Sequence, residues 1–433
     1  MFDRQKKGER ALLLVPHTHG DGDAVRRTEE FAELARSAGA EVLSIIPARV
    51  ENPSPKFYVG SGKADEVAEA AKALEADVVL VDRLLSPVQE RNLEKLINVR
   101  VIDRAGLILD IFAQRARSAE GKLEVELAQL KHLATRLVRG WTHLDAQRGG
   151  AIGNRGPGET QLETDRRLLG ERVKMLGKRL QKVQTQRGQQ RRSRLRNTVP
   201  RVALVGYTNA GKSTLFNAVT RGGVIAADLL FATLDPTVRK IENLACGPAV
   251  LADTVGFIRE LPHDLVAAFR ATLAEARDAD LLLHVSDASD DDRDRLQTVV
   301  DKVLAEIDAG DVPQLHIMNK IDLAGLPPRL DRDATGRPHR VWLSAATGEG
   351  IDLLRQALGE LLGGDRLQSP LQLPLSAGRL HARLRAAGAI VGETVDEHGW
   401  QLQIDAPRSV IAPLGEGDPV DTQLLRPLLA STP

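Results

Sequence analysis

The chain is short of cysteine, of net charge and of long apolar runs, and each shortage excludes something. Its 433 residues hold one cysteine, Cys246, so no disulfide can close within the chain and that thiol is expected as a small buried or half-buried side chain. No apolar stretch approaches the ~20 residues of a bilayer-spanning helix. The opening segment, Met1-Phe-Asp-Arg-Gln-Lys-Lys-Gly-Glu-Arg10, lacks the apolar core of a secretory signal. These absences lead to the expectation of a cytoplasmic protein with no membrane span and no disulfide partner. Basic and acidic residues balance at 59 each, so bulk charge by itself points to no polyanionic partner. What remains, 42% hydrophobic and 27% charged, is an ordinary globular composition. At this length about three domains are expected, each large enough for its own core.

One further absence is local. From Arg172 to Pro200 there is no acidic residue, while Arg172, Lys174, Lys178, Arg179, Lys182, Arg187, Arg191, Arg192, Arg194 and Arg196 are basic. Without acids to form pairs one helical turn away, such a run suits a polyanion; its plainer reading is a solvated helix face. Arg136, Arg139, Arg148, Arg155, Arg166 and Arg167 also surround a glycine-rich block at 149–158.

The strongest positive signal is the run Gly206, Tyr207, Thr208, Asn209, Ala210, Gly211, Lys212, Ser213. It follows the apolar strand Arg201–Val205 and precedes a helix start at Thr214. In that setting G-x-x-x-x-G-K-S is a phosphate cradle. The glycines let successive N–H groups turn inward, and the helix N-terminus adds its positive dipole end. Lys212 is placed to reach the outer phosphates and Ser213 to hold a magnesium ion that accompanies the nucleotide.

Three later segments choose the nucleotide. Asp253, with Thr254, Val255 and Gly256, ends a second apolar run: in such sites the carboxylate faces magnesium through water, and Gly256 offers its N–H to the terminal phosphate. Asn319, Lys320 and Asp322 form N-K-x-D at the end of another strand, and Asp322 is an acceptor-only group matched to the paired donors on guanine's edge. Two charge-assisted hydrogen bonds of ~1.5–3 kcal/mol each give guanine a preference of at least about a hundredfold. Ser344, Ala345 and Ala346 set backbone N–H groups against the guanine carbonyl. Between cradle and Asp253 lies the switch Phe231, Ala232, Thr233, Leu234, Asp235, followed by Pro236 and Thr237. Thr233 is the favoured hydroxyl to close over magnesium and Thr237 the alternative, with a plain strand or turn role as its blander reading. The catalytic set is therefore Lys212, Thr233 and Gly256, the metal set Ser213, Thr233 and Asp253, and the cofactor Mg2+ with GTP.

These motifs, G-Y-T-N-A-G-K-S, F-A-T-L-D-P-T, D-T-V-G-F, N-K-I-D and S-A, together with the block Gly149-Gly-Ala-Ile-Gly-Asn-Arg-Gly-Pro-Gly-Glu-Thr-Gln-Leu-Glu-Thr-Asp-Arg-Arg167, resemble the HflX family of translation-factor-class, ribosome-associated GTPases. The resemblance runs over roughly residues 10 to 365. It implies binding to the large ribosomal subunit through ribosomal RNA, and splitting or rescue of stalled ribosomes under stress. It also bears on Phe257, which stands where many GTPases orient water with glutamine. Phenylalanine has no group to do so; similar proteins are slow alone and accelerated by their partner. Arg155, Arg166, Arg167, Arg191, Arg192 and Arg194 are the RNA-contact candidates.

The expected fold is multidomain α/β. Residues 1–117 alternate strands and helices and predict an amino-terminal, mostly parallel α/β domain that binds nucleic acid or the ribosome. Residues 118–197 predict an antiparallel coiled-coil hairpin with seams Leu123, Leu127, Leu130, Ala134, Leu137 and Leu169, Val173, Leu176, Leu180, Val183, its glycine-rich loop near the tip. Residues 198–364 are the GTPase domain on a mostly parallel sheet, and 365–433 a small α+β domain with a helix, a hairpin and an irregular tail after Pro407. Two weaker motifs stand outside this scheme. Gly60-Ser-Gly-Lys63 has the wrong spacing for a second cradle but could take an anion; His17, His19 and Asp21 read as a polar loop rather than metal ligands. Two other functions stay open on the residues alone: an ATP-driven RNA-remodelling protein, and a module in which GTP regulates docking while hydrolysis is incidental.

Overall fold

A computed structural model describes residues 8–18, 24–139, 157–194, 199–220, 230–231, 233–234, 237–259, 270–363, 366–397, 399–415 and 419–430. The chain forms two compact units that interleave in sequence. One comprises residues 1–183, 225–235 and 255–273; the other comprises 184–224, 236–254 and 274–433.

The first unit is built on four parallel strands, β1 (Arg10–His17), β2 (Glu41–Arg49), β3 (Val78–Val81) and β4 (Arg100–Asp103), in the order β2-β1-β3-β4. Ala11–Val15 and Val78–Val81 are buried along their whole length, as parallel strands covered on both faces must be. The helices α1 (Ala24–Ser37), α2 (Ser61–Ala73), α3 (Pro87–Ile97) and α4 (Arg104–Arg115) alternate with them. Local chemistry sets the helix starts. Ser86 and Gln89 form a reciprocal capping box on either side of Pro87, and Asp103 accepts the Gly106 N–H at 2.9 Å to cap α4.

Two long helices follow, α5 (Ala119–Arg139) and α6 (Pro157–Arg194). Leu127, Leu176 and Leu180 form a small buried cluster with Leu123, Leu130 and Val173 against it, and Arg172 donates to Glu126 at 2.6 Å. Six of the ten residues read as a seam from the leucine spacing take part in this cluster. The glycine-rich block falls largely on 140–156, outside the described residues.

The second unit carries a seven-stranded sheet in the order β10-β11-β9-β8-β5-β7-β6. Its strands are β5 (Arg201–Gly206), β6 (Thr237–Ile241), β7 (Ala249–Asp253), β8 (Leu281–Asp287), β9 (Gln314–Asn319), β10 (Arg329–Arg332) and β11 (Pro338–Trp342). The two edge strands, β6 and β10, run antiparallel to their neighbours and the interior pairs are parallel. Around it are α7 (Lys212–Thr220), α8 (Arg270–Arg277, whose last turn belongs to this unit), α9 (Arg293–Glu306), the single turn α10 (Ile321–Ala324) and α11 (Ile351–Gly363). Cys246 is buried in this core with Leu244 and Ala249.

The carboxy-terminal part forms a three-stranded antiparallel sheet, β12 (Arg366–Leu373), β13 (Ile390–Asp396) and β14 (Gly399–Pro407), in the order β12-β14-β13, with α12 (Gly378–Ala386). The residues after Pro407, expected to be irregular because of their prolines, form two more helices, α13 (Arg408–Gly415) and α14 (Pro419–Ala430). Ile411, Leu425 and Leu428 are buried with Leu380 and Ile404, so apolar contact overrides the helix-breaking tendency of Pro413 and Pro427.

A histidine pair in the main sheet, His284 buried and His316 half-buried, makes this core acid-sensitive. His284 on β8 and His316 on β9 stand opposite each other, ring centroids 5.4 Å apart. Burial, then the neighbouring His284 and Arg340 charges, push His316 down to about 4, and burial likewise lowers His284. A histidine with a depressed folded-state value takes up its proton first in the unfolded chain. Stability is therefore full above the ordinary value of 6.5 and falls as the pH drops towards about 4. Denaturant melts at pH 7 and 5 test this, with the His316→Gln variant expected to show a shallower decline between them.

Candidate functional site

The cradle residues close the C-terminal end of β5, where open parallel sheets place their ligands. Gly206 has φ 147, and a Cβ there would lie 2.2 Å from the Val285 carbonyl oxygen on the neighbouring strand. Gly211 has φ 88, and a Cβ there would lie 2.2 Å from Asn319 Nδ2. Asn209 also takes a left-handed turn, at φ 60. The loop is tied back by Lys212, whose Nζ donates to the carbonyls of Gly206 at 3.1 Å and Tyr207 at 2.6 Å. Burial lowers the Lys212 ammonium to about 8, against the opposing pull of Asp253. Thr214 lies in the first turn of α7.

Asp253 is fully buried at the end of β7, and its Oδ2 accepts from Ser213 Oγ at 2.8 Å. A hydroxyl and a carboxylate at that spacing are hard oxygen donors of the kind magnesium takes. Thr254 is fixed differently, its hydroxyl donating to the Leu204 carbonyl at 2.6 Å. The Thr208 hydroxyl, at 6% exposure, finds no hydrogen-bond partner among the described residues.

The N-K-x-D and Ser344–Ala346 segments meet the Gly206–Ser213 loop through Asn319. Its Nδ2 donates to the Ala210 carbonyl and its Oδ1 accepts from the Ala345 N–H, both at 2.9 Å. Ser344 is fully buried and its Oγ accepts from the Thr347 N–H at 3.1 Å, which shapes the Ser344-Ala345-Ala346 turn. Lys320 adopts φ 65 and pairs with Asp287 Oδ2 at 2.8 Å, so its stem is held along the end of β8. Asp322 is exposed on α10. The Asn319 brace and the Asp287–Lys320 pair escaped the sequence reading. A Ser-Asp pair closing β8 was the available signal for the second.

Residues 231–235 and 255–257 belong to the first unit, Thr237 to the second. Phe231 is buried with φ 56, Thr233 is 9% exposed and Leu234 is buried; Ala232 and Asp235 lie outside the described residues. Thr237 opens β6 opposite Asp253 on β7, a strand position. Val255 and Phe257 are buried, Phe257 at 1% exposure, and Gly256 lies between them.

The other sequence candidates divide. Arg166 and Arg167 are exposed on α6; Arg155 lies outside the described residues, as do the side chains of Arg191, Arg192 and Arg194. Arg167 pairs with Glu171 one turn on along its own helix, at 3.4 Å, and two other basic residues counted towards a polyanion face are engaged across the first unit: Arg172 with Glu126, and Arg136 with Glu90 and Asp103. Both pairings cross between helices distant in sequence, which charge counting along one segment does not see. Lys63 of the G-S-G-K stretch pairs with Glu66 one turn on, at 2.7 Å. His19 and Asp21 lie outside the described residues, and no group of three or more metal-binding side chains is found among the described ones. No helix among them is long and apolar enough to cross a membrane.

The close approach at Gly211 gives a direct test. Gly211→Ala is expected to lower nucleotide affinity by about a hundredfold or more, since the new methyl must displace the Asn319 amide. Gly336 has a similar φ of 81 with nothing within 4 Å; Gly336→Ala is expected to pay only local strain and keep the affinity. Fluorescent GDP titration of both variants measures the difference.

Three family models match in series: GTP-binding GTPase N-terminal over residues 26–113, GTP-binding GTPase Middle Region over 115–194, and 50S ribosome-binding GTPase over 201–320. Among solved structures, the SsGBP–GDP complex is similar at 25% identity with a TM-score of 0.48, covering 82% of this chain and 98% of that one. The GTPase HflX of Magnetococcus marinus is 44% identical over 417 residues, 96% of either chain. The GTPase HflX of Escherichia coli strain K12 is 58% identical over 409 residues, 94% of this chain and 96% of the relative. On that identity, over a stretch that spans all three matched regions, the chain belongs to the HflX family and is a GTP-hydrolysing enzyme.

Proposed function

We propose that this GTPase is a cytoplasmic switch that binds the large ribosomal subunit through ribosomal RNA and splits or rescues stalled ribosomes. The observation that carries the nucleotide part is the Asn319 brace: one amide holds the cradle at Ala210 and the turn at Ala345 in fixed register. Phosphate grip and base recognition then become one rigid site. The buried Thr208 hydroxyl supports a ligand there, because an unpaired buried hydroxyl costs ~1–3 kcal/mol unless something accepts its proton.

In this reading Gly206–Thr214 hold the phosphates, Asn319, Lys320 and Asp322 with Ser344–Ala346 hold guanine, and Phe231–Asp235 with Asp253–Gly256 sense the terminal phosphate. Ser213, Asp253 and Thr233 would hold magnesium, which neutralises phosphate charge when bound. Lys212 contributes a positive charge directed at the outer phosphates, and Gly256 contributes a main-chain donor. Phe257, buried and without a hydrogen-bonding group, leaves the water unoriented by that position. Intrinsic turnover is therefore slow, and the partner completes or repositions the catalytic set.

The ribosomal part rests on the helical pair α5–α6, on the exposed Arg166 and Arg167, and on the matched family model whose description is a 50S ribosome-binding GTPase. Binding through phosphate contacts weakens steeply with salt. The reading assigns four parts: residues 1–117 and 118–197 to ribosome contact, 198–364 to GTP, and 365–433 to a carboxy-terminal domain of its own.

Turnover by the pure protein, alone and with large subunits, small subunits or whole ribosomes, tests the partner. Strong stimulation by large subunits is expected, and a rate indifferent to every ribosomal particle would remove the ribosome from the reading. Lys212→Ala is expected to abolish productive GTP binding; unchanged affinity in that variant argues against the phosphate cradle.

A further inference from the structure

Helix α4 makes three sets of contacts that nucleotide chemistry does not require. At its start, Arg104 is 2% exposed. Its Nη1 donates to Asp82 Oδ1 at 2.5 Å, and its Nη2 donates to Glu30 Oε1 at 2.5 Å and to the main-chain carbonyl of Arg259 at 3.0 Å. Glu30 Oε2 also lies 4.0 Å from Arg259 Nε. Arg259 follows closely on Gly256, so this cluster grips the segment that senses the terminal phosphate.

Two turns further along α4, Phe112 meets Phe231 edge to face, centroids 4.7 Å apart at 78°. The preceding Leu230 N–H donates to Ser37 Oγ at 3.1 Å. Phe231 sits at φ 56, a region that bulky side chains rarely occupy and that costs ~1–3 kcal/mol unless the surroundings enforce it. The aromatic pocket supplies that enforcement, so the first switch is latched in a backbone shape it would not hold alone.

The third contact faces α5. Asp103, the cap of α4 and the chain neighbour of Arg104, takes Arg136 Nη2 at 2.9 Å and lies 3.6 Å from His132 Nε2. Arg136 Nε also donates to Glu90 Oε2 at 2.5 Å. One guanidinium thereby bridges two carboxylates, one on α3 and one at the root of α4.

We propose that α4 couples the helical arm to both switches, with Asp103 as the joint to α5 and with Arg104 and Phe112 as positioning residues for the second and first switch. The coupling rests on the reading above, in which the arm engages RNA. Asp103 caps and Arg104 opens a stiff helix that holds discrete ionic and aromatic contacts. A tilt of α5 that pulls on Asp103 is thus transmitted to Arg259 and Phe231 as a change between packed arrangements, not as a gradual strain.

The test uses the full chain. Arg136→Lys keeps the charge but cannot bridge both carboxylates. It is expected to lower large-subunit-stimulated turnover by about fivefold or more while intrinsic turnover stays within about twofold. Subunit affinity and its salt dependence are expected to be unchanged. Full stimulation in Arg136→Lys overturns the joint, and so does a loss explained by weaker subunit binding. Phe112→Leu keeps the pocket filled without the edge-to-face contact, and Arg104→Lys keeps the charge without the three-way grip. Both are expected to speed fluorescent GDP release by about threefold or more, with melting temperatures monitored to confirm folding. Unchanged release in Phe112→Leu, the milder change, overturns the positioning roles. If the unaltered protein is not stimulated by large subunits, the ribosomal reading fails by itself and the release rates alone decide the coupling.

Discussion

Everything at the nucleotide end of the main sheet depends on one side-chain amide. Asn319 closes β9, and its two polar atoms are spent on two loops far apart in sequence, at Ala210 and Ala345. Because the amide is 2% exposed, those hydrogen bonds are made in a low-dielectric setting where losing one leaves a buried group unsatisfied. The same amide explains a glycine. Gly211 must lack a side chain because Asn319 Nδ2 occupies the space, and its φ of 88 is the backbone shape that brings Ala210 within reach. Brace, glycine and loop are one constraint.

From that constraint the remaining geometry follows in order. With the cradle fixed, Lys212 folds back on Gly206 and Tyr207, and Ser213 reaches Asp253 on the adjoining strand. Burial lowers the lysine's affinity for its proton while Asp253 opposes that, a balance that keeps a charge available inside a desolvated loop. The charge pairs at the edge, such as Lys320 with Asp287, contribute orientation more than stability, since half-exposed pairs are worth ~0–1 kcal/mol.

The first unit solves a different problem, the burial of charge. Asp82 is fully buried against Arg104 and Arg27, and burial raises its carboxyl while both guanidiniums pull it down. Removing one member of such a cluster strands the others, so the set acts as a unit. Its members come from α1, the residue after β3 and the start of α4, and through Arg104 and Arg27 it ties these elements together. A polar cluster of this kind has specific geometry where an apolar core would tolerate sliding, which is the property a coupling element needs.

How much was legible in the amino-acid sequence depended on the range of the interaction. Local signals carried their own answers: the alternation of strands and helices through residues 1–117, the central leucines on α5 and α6, and the placement of the sequence motifs at strand ends. Each is decided within a few residues by dihedral preference, capping or periodicity. Tertiary structure decided what those rules do not reach. The helices after Pro407 form because Ile411, Leu425 and Leu428 find a sheet to cover. Arg136 and Arg172, counted by sequence as a surface for polyanions, found carboxylates on other helices. Asn319 acquired its double role from Ala210, 109 positions away, and from Ala345 across the next strand, and Phe231 its strained backbone from Phe112 on a distant helix. The physical reason is common to all of them. Sequence spacing specifies which groups a segment offers, but satisfaction of a buried polar group or a strained residue is a three-dimensional event, settled by whichever partner the fold brings within hydrogen-bonding or van der Waals distance.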